Sequence, residues 1–292
     1  VSGWPPIDEP ELLDRLAMDD RRFEEYMRTL AARFPPRTFE RASLERAIGY
    51  PWARPPSSYR LTSAGVELLE DLTAGERERV LDEFLSEVGG RLPLLAFGSN
   101  AAPETLKRKF AHFPDEGDRA VLALTGRLHD FDVGVAPQPA LYGSMPATLF
   151  PSPGTRVCAT ALWVTPTQFT QLTWSELSYR LGKLRTHFDV DGSETSFDEV
   201  LAFVSRFGAF CVAERPVALA AIPATGRTAE ALTQEQLLDA AAALAIGPEA
   251  SAEMLVRAIF EQTDEIGHIT APVREASVPF ASERWTPFSP AI

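Results

Sequence analysis

The chain has 292 residues and carries 28 Lys and Arg against 41 Asp and Glu, a formal net charge of −13. That balance argues against a protein that neutralises nucleic-acid phosphates over a broad surface. No run of apolar residues reaches the ~18 needed to span a membrane, and no signal-peptide pattern opens the sequence, so a reduced, cytoplasmic protein is the expectation. A hydrophobic share of 45% is ample for a core, and the length suits one large domain or two smaller ones. The two cysteines, Cys158 and Cys211, and four scattered histidines form neither a disulfide framework nor a compact zinc motif.

In chain order, residues 1–91 read as a helical, proline-interrupted N-terminal region. Leu12, Leu13, Leu16, Phe23, Tyr26, Met27, Leu30 and Phe34 mark one apolar face, which Pro35-Pro36 closes. A short helix fits 40–48, followed by the aromatic connector YPWARPPSSYRL. Trp52 and Tyr59 within it suit packing of one segment over another, or gating of a site. A further helix fits 74–88 and stops at Gly89-Gly90.

From 92 the pattern changes to short strands. These fit 93–97, then 120–135, where Phe131, Val133 and Val135 alternate, then 157–164 between the turn signals Pro153-Gly154 and Thr165-Pro166. Strand-like segments return at 184–190, 199–204, 209–214 and 217–222, before amphipathic helices at 234–245 and 251–263. Residues 266–292 are Pro-rich and read as an extended strap. Strands followed by helices predict an α+β fold over 92–265, with a mainly antiparallel sheet or barrel.

One stretch carries chemistry. Residues 94–110, LLAFGSNAAPETLKRKF, read as a buried strand, a tight turn at Gly98, and a helix from near Ala101, with Ser99 or Asn100 as its N-cap and Pro103 in its first turn. Such a corner gathers unpaired backbone N–H groups with the positive end of a helix dipole, where a carboxylate or phosphate binds favourably. It fits a plain capped helix equally well. It is not a P-loop, lacking the second Gly and the Gly-Lys-Ser/Thr ending.

The corner resembles the YGSN loop of the γ-glutamylcyclotransferase-like family, with Phe97 in place of the usual Tyr. The similarity continues through GRLHDFDVGV (126–135), PATLFP (146–151) and SPGTRVCATALWVTPTQFTQLTWSEL (152–177), and more loosely over 217–262. It implies a small mixed or antiparallel β-barrel with flanking helices over 92–265. It also implies a cofactor-independent, metal-free enzyme that cyclises a γ-glutamyl amine or peptide to 5-oxoproline and releases the amine. On this resemblance Glu176 is the general acid and base, and Phe97, Gly98, Ser99 and Asn100 bind the glutamyl group.

Independently, Glu176 sits among Leu172, Trp174 and Leu177, an apolar context suited to proton transfer, although it also fits an exposed helix-end carboxylate. Tyr142 and Gly143, just before Pro146, are further candidates to line the pocket, or an ordinary turn. Thr173 stands where the family usually has Asp, Leu177 where Gly commonly follows the glutamate, and Tyr179 comes early. These departures leave two alternatives: a non-catalytic binder on the same fold, or another amide-cleaving or acyl-transfer reaction. In each case the expected partner is a small molecule, with neither nucleic acid nor membrane.

Overall fold

A computed structural model of the chain describes residues 4–5, 7–31, 33–86 and 90–289. The Gly89 half of the expected Gly-Gly stop lies outside these residues; the helix before it ends earlier, at Leu85.

The elements run α1 (Pro10–Ala17), α2 (Asp20–Ala31), α3 (Arg41–Ile48), β1 (Tyr59–Thr62), β2 (Gly65–Leu68), α4 (Ala74–Leu85), β3 (Leu92–Ala96) and α5 (Pro103–Phe110). There follow β4 (Val121–Val135), β5 (Ala147–Val164), α6 (Pro166–Ser175), β6 (Tyr179–Leu184), β7 (Phe188–Val190), β8 (Ser196–Phe197) and β9 (Val200–Ser205). Short strands β10 (Ala209–Val212), β11 (Arg215–Pro216), β12 (Ala218–Leu219), β13 (Ala224–Thr225) and β14 (Ala231–Leu232) lead into α7 (Gln234–Ala245), α8 (Ala252–Glu261) and α9 (Ile266–Glu275). Finally come β15 (Ser277–Val278) and β16 (Trp285–Pro287).

The fold is α+β, built on one large mixed sheet of order β14-β12-β4-β5-β3-β9-β6-β16. Pairing is antiparallel except at β3/β9 and β12/β14. Among the described residues no pairing joins β14 to β16, so this path does not close on itself. Alternation along the central strands divides the interior into two cores. Leu95, Leu122, Leu124, Ala161, Ala202 and Val204 point one way, toward Leu44 and Ala47 of α3, Phe84 of α4 and the apolar faces of α7, α8 and α9. Leu94, Ala96, Val121, Ala123, Leu162, Leu201 and Phe203 point the other way, toward Leu12 of α1, Leu106 and Phe110 of α5, and Phe169 and Leu172 of α6. Because both faces are covered, β4 is buried along most of its length and β9 throughout.

Several elements differ from expectation for identifiable reasons. The single apolar face over 12–34 is two helices, because Met18 is extended (ψ 131) and Asp19 caps the next helix through the Arg22 N–H at 2.8 Å. The N-terminal region is not only helical: β1 and β2 form a hairpin whose Tyr59 pairs with Ala123, placing it in the main sheet. Pro153-Gly154 does not end a strand. β5 continues through it, with 152–155 bulged opposite Asp130, whose carboxylate accepts the Gly154 N–H at 2.9 Å. The C-terminal strap is helical over Ile266–Glu275 and extended only beyond, where Trp285 pairs with Leu184.

Candidate functional site

The corner lies where β3 leaves the middle of the sheet, between β5 and β9. After Ala96 the chain turns through Phe97 and Gly98 into one 3-10 turn, Ser99–Ala101, and only then into α5. Pro103 occupies the first turn of α5 as expected, but the N-cap is Ala102 and makes no side-chain cap bond. Asn100, freed from capping, points elsewhere. Its Nδ2 donates to Glu176 Oε1 at 3.0 Å, and its Oδ1 accepts from Lys109 Nζ at 2.7 Å.

Glu176 follows the last residue of α6 and is its C-cap, with its N–H bonded to Thr173 O. The capping box of Thr165 and Gln168 fixes the start of that helix, and Phe169 and Leu172 bury its inner face completely. The glutamate is therefore delivered by a rigid element. A carboxylate here meets the negative end of the helix dipole, which the Lys109 ammonium at 3.4 Å offsets. The Glu176 side chain is only 17% exposed, which overturns the exposed helix-end reading. Asn100, Lys109 and Ser175 all contact Oε1. Among the described residues Oε2 accepts from none. One oxygen orients the carboxylate, and the other is left for a ligand.

A cavity of about 270 Å³ opens beside this pair. Its walls include Phe97, Gly98, Ser99 and Asn100 from the corner, Glu176 and Tyr179 from the α6–β6 segment, and Tyr142. The sequence-derived candidates Phe97, Gly98, Ser99, Asn100, Tyr142 and Glu176 thus share one cavity. Gly143 does not line it. With φ +91, and Val256 Cγ1 at 2.9 Å from where a Cβ would be, Gly143 is a packing glycine beneath α8.

Of the other wall residues, Trp52 was a sequence candidate for packing or gating, whereas Arg108, Lys109 and Tyr50 carried no signal in the sequence. Arg108 and Lys109, on α5, put two cations at the cavity of a strongly acidic chain. Among the described residues Arg108 has no ion-pair partner. Burial pushes the Lys109 ammonium below its usual range, against the opposing pull of Glu176. Tyr50 and Trp52, from the proline-rich connector, complete the wall beside Tyr142; the rings of Trp52 and Tyr142 lie 5.5 Å apart. The Ala147 peptide is gripped from both sides: its N–H donates to Tyr50 Oη at 2.8 Å, and its C=O accepts from Tyr179 Oη at 2.8 Å.

The N-terminal region is tied to the site at further points. Arg54 Nη2 donates to Phe97 O at 2.7 Å, Trp174 Nε1 donates to Glu9 at 2.7 Å, and Arg206 bridges Leu177 O to Met18 O at 3.1 and 2.8 Å. Elsewhere, His129 and His187, distant in sequence, meet on Asp189 at 2.6 and 2.7 Å. Among the described residues no group of three or more His, Cys, Asp or Glu is placed to hold a metal ion. No helix among them is long and apolar enough to cross a membrane. Comparison of the chain with protein-family models, with curated proteins and with solved structures returned no match.

Proposed function

We propose that this chain is a γ-glutamylcyclotransferase-like enzyme that closes a γ-glutamyl amide to 5-oxoproline and releases the free amine. The observation that carries this reading is the contact between the two motifs. Glu176 Oε1 is held by Asn100 of the FGSN corner, 76 residues away in sequence, with Oε2 unengaged at a shared cavity. The substrate's own α-amine is the nucleophile, so the protein need supply no co-reactant. Folding the glutamyl chain into attack geometry converts the reaction to an intramolecular one, worth roughly 7–11 kcal/mol in favourable cases. Glu176 Oε2 takes a proton from the α-ammonium and returns it to the departing nitrogen. Arg108 and Lys109 provide the positive field that a glutamyl α-carboxylate requires.

The finer fold reading, a small mixed barrel of that family over 92–265, belongs to the same proposal. Its support is the continuous path β4-β5-β3-β9-β6 with the corner at its centre. The cytoplasmic reading also belongs here, supported by the two free thiols at Cys158 and Cys211.

Incubation with a panel of γ-glutamyl amines and dipeptides, followed by detection of 5-oxoproline, tests the reading. Wild type releases it, and Glu176→Gln is slower by about 10²–10⁴-fold. Equal release by the two proteins removes Glu176 from the chemistry. A second reading, a non-catalytic binder, draws on the Lys109 contact, since an ammonium 3.4 Å from a carboxylate also suits a purely structural pair. Ligand binding with no 5-oxoproline from any member of the panel selects that reading.

A further inference from the structure

The N-terminal connector places a phenol against a corner whose own aromatic residue is Phe97. Tyr50 is 3% exposed, and Gly98 is shaped to it: a Cβ on Gly98 would lie 2.6 Å from Tyr50 Oη. The hydroxyl oxygen accepts the Ala147 N–H at 2.8 Å. A phenol offers two acceptor directions and one donor. The Ala147 contact uses it as an acceptor, and among the described residues its own O–H has no acceptor. Tyr50 shares its cavity with Glu176 and Asn100. An O–H without a protein acceptor, at a cavity and beside a proton-transfer carboxylate, is a donor held in reserve for a ligand.

The segment is fixed as a donor must be. Trp52 adopts φ +67, a left-handed conformation costly for a bulky residue. Its indole N–H donates to Arg46 O at 3.0 Å, and the Arg46 guanidinium lies 4.4 Å from its ring centroid. Two residues on, Arg54 donates to the corner's own Phe97 carbonyl. Tyr50 thus belongs to a loop anchored to α3 through Trp52 and to the corner through Arg54. Burial pushes its hydroxyl up to about 12, so the proton stays in place throughout the neutral and mildly alkaline range.

We propose that Tyr50 is a catalytic residue of the reaction put forward above, its O–H donating to the γ-carbonyl oxygen of the bound glutamyl amide. As the α-amine nitrogen bonds to the γ-carbon, the carbonyl electron pair moves onto oxygen, and Tyr50 stabilises that charge while keeping its own proton. When the pair returns, the bond to the departing amine breaks. Glu176 passes the proton it accepted from the ammonium to the leaving nitrogen. It then carries the ring nitrogen's remaining excess proton to the released amine, which departs as its ammonium, so atoms and charge balance with no further reactant. The inference rests on the cyclotransferase reading, and its test separates the two.

The test uses the full chain with Tyr50 replaced by Phe, and with fluorinated tyrosines of graded phenol acidity incorporated at position 50. Tyr50→Phe is expected to lower kcat for a γ-glutamyl amide about 10²–10³-fold, as loss of one oxyanion donor does, with KM changed less than about 3-fold. Binding of 5-oxoproline, titrated calorimetrically, weakens about 10-fold, and kcat across the fluorotyrosine series follows phenol acidity. A kcat within about 3-fold of wild type overturns the proposal. So does a flat fluorotyrosine series, which is the signature of a structural hydroxyl and is read even where the Phe variant does not fold. Should wild type release no 5-oxoproline at all, the cyclotransferase reading falls. The donor is then judged on 5-oxoproline binding alone: weakened in Tyr50→Phe supports it, and unchanged or absent binding overturns it.

Discussion

At the scale of single residues, the site depends on what is missing from Gly98 as much as on what Glu176 carries. Its φ of −100 lies outside the left-handed region, and the space around it leaves no room for a side chain. Ala at 98 would thrust a methyl to 2.6 Å from Tyr50 Oη and 3.3 Å from Ala147 Cβ. Gly98→Ala is therefore expected to destabilise by about 1–3 kcal/mol and to displace Tyr50, measured as a lowered urea midpoint together with a fall in kcat. A mutant with wild-type stability and rate would show that the two groups do not press on each other. The corner and Glu176 were readable in sequence because each lies in a contiguous motif, although Asn100 reads as a cap and proves to be a carboxylate partner. Tyr50 was not readable as a site residue. Among prolines it looks like packing, and its hydroxyl meets its backbone partner only at Ala147, 97 residues on.

At the scale of elements, the boundaries best legible in sequence are those with local chemistry. α7 runs from Gln234 to Ala245 behind the Thr233 capping box, as its periodicity predicts. The β1–β2 hairpin escaped because four-residue strands give too few positions for a period to show, and because their partner is the distant β4. One polar residue in β4 shows how such long-range partners hold an element in place. Asp132 is fully buried, takes two bonds from Arg227 at 2.7 and 2.8 Å, and accepts the Val133 N–H. Arg227→Met leaves that carboxylate buried with no counter-charge and is expected to cost about 3–5 kcal/mol, read from urea unfolding. A loss below about 1 kcal/mol would mean that water reaches Asp132 once the guanidinium is gone.

For the whole molecule, four tyrosines sit around the corner and its supports: Tyr50, Tyr59 and Tyr179 are buried and Tyr142 is partly so. Burial raises all four above the usual phenol value. In the unfolded chain a tyrosine loses its proton near pH 10, whereas in the fold these keep theirs. Above that pH the native state binds more protons than the unfolded one, so stability falls as pH rises. For Tyr50, protonated in the fold to about pH 12, the fall is about 1.4 kcal/mol per pH unit across that window. Lys109, shifted downward, acts with the opposite sign: its burial penalty lessens as pH climbs toward the unfolded ammonium value. It opposes the four tyrosines, with which the raised thiols of Cys158 and Cys211 act in the same sense. Urea midpoints are expected to hold up to about pH 9 and drop steeply beyond pH 10, with phenolate absorbance appearing in step with unfolding. Phenolate signal from these residues in the folded state near pH 10 would contradict their burial.

The grip of Tyr50 and Tyr179 on the Ala147 peptide also has a consequence in time. A ribosome releases Tyr50 first, Ala147 much later, and Phe203, the last wall residue of the cavity, later still. Arg206, which locks Met18 to the loop after Glu176, follows it. A growing chain therefore holds every early part of the cavity without holding the cavity. Any ligand that fits there distinguishes folded chains extended past Arg206 from shorter ones, and its binding is an assay of that stage of synthesis and folding.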